Sequence, residues 1–150
     1  MASFIYNLAL QGFASGSFDL ATANIKVALV QISGSGSPYT ANQASDQYLS
    51  ALPGVTSTTS PSGCIASIAG NLTGVSVTNG IFGAANITFA SVTFSQPVGA
   101  MVMYIDTGTV ATSPLIAYMD SANYSGLPFT PSGASVPVSW PTGTNKIFSL

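Results

Sequence analysis

The sequence predicts a mainly β chain, an antiparallel β-sandwich or barrel-like domain, with one or two short helices in its N-terminal third. Three observations carry this expectation. From Val55 onward, short segments of β-branched and aromatic residues recur about every 10 to 15 residues, set apart by Gly, Pro, Ser and Asn. Apolar and polar positions alternate through Val75 and Val77, and again through Ile87 and Phe89 around Thr88. Two stretches before Val55 instead space their apolar residues as helices do. With 150 residues, no internal repeat and no linker, residues 1–150 are expected to form one domain.

The first twelve residues read as a helix: Ser3 is placed to cap it, Phe4 and Leu8 are four apart, and Gly12 stands where a C-terminal cap belongs. Ile25 to Ile32 is rich in β-branched residues and predicts a strand. Ser33 to Pro38 has the Ser/Gly composition of a flexible loop, and Tyr39 follows it. A second helix is expected over Gln43 to Leu52, capped by Asn42, with Tyr48, Leu49 and Leu52 on one face and Pro53-Gly54 ending it. Thr56 to Gly63 is a polar loop. Strands are then expected at Cys64–Ile68, Leu72–Thr78, Ala85–Phe94, Gly99–Asp106, Leu115–Asp120, Ser135–Trp140 and Ile147–Leu150. Asn79-Gly80 is the dipeptide of a type I′ hairpin turn. Pro97, Pro114, Pro128, Pro131 and Pro141 fall between strands, whereas Pro137 lies inside one and marks it as an edge.

Only 4% of the residues are charged, two Lys and four Asp, and the chain has no Arg, Glu or His. An ordinary soluble domain carries about a quarter. The common general bases and most metal-ligand sets are therefore missing, and neither an enzyme nor a metal or cofactor site is expected. Without Arg, and at a net charge of −2, the chain offers no basic surface for nucleic acid. The most apolar windows, Ile25–Ile32, Met101–Ile105 and Leu115–Met119, fall far short of the ~20 residues of a membrane span. The N-terminus lacks the basic and continuous apolar regions of a secretory signal.

Few residues are left to carry chemistry. Cys64 is a lone thiol without a His to activate it, and reads as a small core residue. Asp106-Thr107-Gly108 and Asp120-Ser121-Ala122 read as strand-end turns in which Asp bonds its own backbone. Lys26, on a strand, raises a Lys–Asn isopeptide cross-link as a minor alternative. Three Asn-X-Ser/Thr sequons, at Asn71, Asn86 and Asn123, are about what so Ser/Thr-rich a chain yields by chance. Phe82, Phe89, Phe94 and Trp140 are expected in the core. Tyr39, Tyr124 and Phe129 sit among Gly, Pro and Ser, either to touch a sugar or protein neighbour or to fold back over the end of the domain. The candidate contact residues are thus Ser35, Gly36, Ser37, Pro38, Tyr39, Tyr124 and Phe129, with the N-terminal segment as a further adaptable contact.

Several segments in order carry a family resemblance: Tyr6-Asn7, Gly16-Ser17-Phe18-Asp19-Leu20, Ile25 to Val30, Asp106 to Asp120 with its Thr112-Ser113-Pro114-Leu115-Ile116-Ala117-Tyr118 stretch, and Val136 to Trp140 with Ile147 to Leu150. Together they resemble a family of small virion proteins of tailed bacteriophages. This chain has neutral residues where that family carries acidic ones around the middle strands. The resemblance implies a virion structural protein, with the capsid decoration, or cement, role as the first expectation. Its partners would be the major capsid protein or other virion proteins, and it would be a homo-oligomer, with a trimer favoured. The alternative is a tail or fibre module that binds host-surface glycan or another virion protein.

Overall fold

A computed structural model describes residues 3–140 and 146–150. The chain is mainly β, with antiparallel sheets and one α-helix near the N-terminus. β1 (Phe4–Ile5), β2 (Ile25–Val30), β3 (Ile65–Ile68), β7 (Ala100–Ile105) and β8 (Leu115–Asp120) form a five-stranded sheet in the order β1-β8-β7-β2-β3. A three-stranded sheet, order β10-β5-β4, joins β4 (Ser76–Thr78), β5 (Ile81–Gly83) and β10 (Lys146–Ser149). β6 (Ile87–Phe89) pairs with β9 (Val136–Val138).

The five-stranded sheet is covered on both faces, which explains why β2, β7 and β8 read as almost unbroken apolar runs rather than alternating ones. In register, Val27, Met103 and Ala117 lie side by side and pack into one cluster with Phe82, Phe89, Val136 and Val138 of the smaller sheets. One residue along, Ala28, Val102 and Tyr118 face the opposite way. There they meet Tyr39, Leu49, Leu52, Val55 and Cys64, all from the stretch between β2 and β3. That stretch is a covering layer with almost no regular structure.

Three expectations are corrected. The opening helix, α1, spans Asn7–Ser15 and not the first twelve residues. Ser3 does not cap it: the Asp120 N–H donates to Ser3 Oγ at 3.1 Å, and Phe4–Ile5 run as an edge strand against Tyr118 and Ala117. The helix ends at Gly16, with φ of 72°, where Gly16 N–H and Ser17 N–H close on the Phe13 and Gly12 carbonyls. Gly12 lies inside the helix because the Phe18 ring rests on it; a Cβ there would sit 2.3 Å from Phe18 Cδ2.

The helix expected over Gln43–Leu52 is a turn and a single 3-10 turn at Leu49–Ala51. Asn42 does cap, its Oδ1 accepting from the Ala44 and Ser45 N–H groups, but only one turn follows. Backbone pairing to the strand ahead of β8 wins instead: Leu49 N–H reaches the Ser113 carbonyl and Leu115 N–H the Gln47 carbonyl, at 2.8 and 2.9 Å, leaving Tyr48 extended.

Among the strands, Leu115–Asp120 has the expected bounds, the last is shifted by one residue to Lys146–Ser149, and the rest are shorter. The strand expected over Ile25–Ile32 ends at Val30, Leu72–Thr78 contracts to β4, and Ala85–Phe94 contracts to β6. Asn79 and Gly80 take the positive φ values, 52° and 75°, of the expected tight turn. The turn sends the chain straight back, so Ile81–Gly83 pairs with β4 as a strand that the sequence reading missed. Pro137 sits on an edge, as expected, because β9 has one partner. Phe82, Phe89 and Trp140 are buried, and Phe94 is partly so. The expectation for Pro141 lies outside the described residues.

Candidate functional site

The candidate contact residues separate into two groups. Ser35, Gly36 and Ser37 are exposed and Pro38 is half-buried, at the end of β2. The loop they form is pinned rather than free. The buried Gln31 amide donates from Nε2 to the Ser33 and Ser35 carbonyls at 2.8 and 2.6 Å, and the Ser35 N–H donates to Gln96 Oε1 at 3.1 Å. Gly34 and Gly36, at φ of 91° and 96°, make the turn possible.

Tyr39 is not displayed. It is 2% exposed, its hydroxyl shares a 2.8 Å hydrogen bond with the Tyr6 hydroxyl and donates to Asp46 Oδ2 at 2.7 Å. Burial, the neighbouring Tyr6 and Asp46 hold its phenol far above the ordinary range. Of the two readings of this aromatic, folding inward is the one observed. The N-terminal segment is likewise built into the sheet, with the Phe4 and Tyr118 rings stacked 5.1 Å apart.

Tyr124 and Phe129 stand at the same end of the sheet as the 33–38 loop. The connection runs through residues 96–98: Gln96 holds Ser35, and Val98 exchanges two backbone hydrogen bonds with Phe129, at 2.8 and 3.0 Å. Tyr124 is fixed by its N–H to the Asp120 carbonyl and by an edge-on contact with Trp140, 5.9 Å between ring centres. Both aromatics line a cavity of about 260 Å³ whose other walls include Leu29, Met101, Val136 and Val138. Burial pushes the Tyr124 phenol up to about 12.

At the opposite end of β2 and β7, Lys26 and Asp106 form an ion pair, each side chain 12% exposed. Burial raises the Asp106 pKa, but hydrogen bonds from Lys26, the Gly108 N–H and Thr58, together with the Lys26 charge, outweigh it and hold the carboxyl below its usual range. The partner of Lys26 is thus the Asp106 carboxylate. Asp106 and Asp120 each accept an N–H from two residues on, Gly108 at 2.8 Å and Ala122 at 3.0 Å, as their turn sequences imply. Asp19 does the same with Ala21. Burial pushes the Cys64 thiol up to about 11, away from the thiolate form. Among the described residues, no group of three His, Cys, Asp or Glu is placed to hold a metal.

Lys26 and Asp106 are sequestered, Asp120 is buried and Asp46 is half-buried, so only Asp19 and Lys146 of the six ionised side chains are exposed. Sequence reasoning missed the pinning residues Gln31 and Gln96. A polar amide directly after the apolar run Val27–Val30 was the available signal. No protein-family model and no curated protein matches the chain.

Proposed function

We propose that this chain is a structural protein of the tailed-bacteriophage virion, a capsid decoration protein that binds the major capsid protein non-covalently and strengthens the head shell. The observation that carries the reading is the near absence of charge on the exposed surface, where only Asp19 and Lys146 lie open. Hydroxyls and amides are desolvated at far lower cost than unpaired charges, so such a surface suits being covered by copies of itself and by a lattice. The order of segments that resembles tailed-phage virion proteins supplies the setting.

Two features support contact-making. The pinned, uncharged 33–38 loop is presented with its backbone already ordered, which lowers the entropy lost on docking. β4 ends its sheet with Ser76, Val77 and Thr78 all exposed and neither charge nor Pro to block edge pairing. In this reading the smaller sheets and the five-stranded sheet form a β-sandwich, and the protein acts as a homo-oligomer, a trimer favoured, whose many equivalent sites add by multivalency. No catalysis is assigned to it.

Copy number in purified particles tests the proposal. Hundreds of copies per particle are expected; about a dozen or fewer would overturn it in favour of a tail or fibre position.

A further inference from the structure

We propose that the cavity between Tyr124 and Phe129 is a binding site for a neutral sugar ring. Its floor is apolar, Leu29 and Met101, which are register partners on β2 and β7. Its mouth is polar. Around the cavity, the side chains of Asn123, Ser125 and Ser139 and the Tyr124 hydroxyl make no hydrogen bond among the described residues.

Three properties then narrow the ligand. No Lys or Asp lines the cavity, so nothing there compensates a charged ligand, and a neutral one is favoured. A purely apolar ring would leave the four polar groups at the mouth without partners as they lost water, which disfavours it. A volume of about 260 Å³ admits one six-membered ring with substituents, since a cavity of about 150 Å³ already holds benzene. A neutral hexopyranose has the matching character, one C–H face for an aromatic wall and an edge of hydroxyls for the mouth. The walls are set in advance, Phe129 by its two bonds to Val98 and Tyr124 by its turn and by Trp140. This inference is independent of where on a particle the protein resides.

The test is a ¹H–¹⁵N titration of the isolated full chain with methyl glucoside, methyl galactoside and N-acetylglucosamine, each to tens of millimolar, with cyclohexanol as the apolar control. At least one sugar is expected to give saturable shifts at the amides of Tyr124, Ser125, Phe129 and Val138. Replacing the exposed Asn123 and Ser139 together by Ala should leave the spectrum folded and weaken that sugar about tenfold. Absence of saturable shifts at these amides with all three sugars would overturn the site, as would saturation by cyclohexanol alone or undiminished binding in the double variant. Particle copy number is unaffected by any of these results, so the two proposals fail separately.

Discussion

The Lys26 ammonium and the Asp106 carboxylate meet at 2.5 Å across β2 and β7, at the end of the sheet face that Thr58 helps to cover. Both side chains are largely out of water, so each is the other's main compensation. Removing one partner strands a charge, whereas removing both does not. Asp106→Asn or Lys26→Met should each lower stability by about 2 kcal/mol, with the double variant costing clearly less than the sum, in urea unfolding. The sign with pH follows from the depressed carboxyl. Its contribution is present above about pH 4, the ordinary Asp range, and is lost as pH falls through the lower folded value. Asp106→Asn should therefore flatten the acid limb of the stability curve. An intact mass equal to that of the uncrosslinked sequence is expected as well.

Tyr39, in the covering layer, links Tyr6 to Asp46, and its hydroxyl satisfies both. Tyr39→Phe keeps the ring and removes the link, and should cost about 1–3 kcal/mol. Burial raises the phenols of Tyr6, Tyr39 and Tyr104, and brings Tyr118 and Tyr124 to about 12. A raised pKa means stability that is complete below pH 10 and declines as pH rises beyond it, because the unfolded chain ionises first. At pH 11 the folded protein should show much less tyrosinate absorbance than the same chain in denaturant. Equal absorbance in a protein still folded would contradict the buried network.

Gly12 and Gly16 serve α1 differently, and substitution separates their roles. Ala at Gly16 meets no neighbour within 4 Å and bears only the strain of a left-handed backbone, about 1 kcal/mol. Ala at Gly12 has ordinary backbone geometry but collides with the Phe18 ring, and should cost about 2–3 kcal/mol by overpacking. Thermal unfolding of the two variants ranks them. A larger loss at Gly16 would mean that Phe18 yields easily.

These glycines also show what was legible in the sequence. A Gly near a helix end reads as its stop, but only a packing partner two residues beyond Gly16, Phe18, distinguishes Gly12 from Gly16, and local propensity does not see it. The same holds for Gln43–Leu52, where helical spacing was real but pairing with Ser113 and Leu115, distant in sequence, took the backbone. Strand cores such as Leu115–Asp120 and the Asn79-Gly80 turn were legible because burial and turn geometry act within a few residues. Of the contact residues, composition placed Ser35 to Ser37 on the surface. It could not separate Tyr39 from Tyr124 and Phe129, since the three share a loop-like setting and differ only in what folds over them.

Gln31 turns a flexible composition into an ordered loop, which gives another measurable consequence. Gln31→Ala removes the two bonds to the Ser33 and Ser35 carbonyls, and stability should fall by about 1–2 kcal/mol. Amide exchange at residues 33–37 should accelerate beyond the global effect. If exchange there rises only in step with the rest of the chain, the loop is held by other contacts, and its ordering would not aid docking.

The neutral surface makes the sharpest demand on the proposed function. Exposed charges attract or repel partners over roughly a Debye length, about 10 Å at 0.1 M salt, and added salt weakens that contribution. With only Asp19 and Lys146 exposed, the protein has almost nothing for salt to screen. What remains on its side is apolar burial, hydrogen bonding and strand-edge pairing, to which salt contributes little until concentrations reach the range where burial itself is strengthened. Binding to particles stripped of this protein should therefore change less than about threefold between 50 and 500 mM sodium chloride, a span over which charge-steered complexes weaken steeply. Asp19→Asn and Lys146→Gln should each leave the affinity unchanged. A steep fall in binding with salt, or a strong effect of either variant, would place the interaction on those two charges and remove the argument that a nearly uncharged surface is suited to being covered.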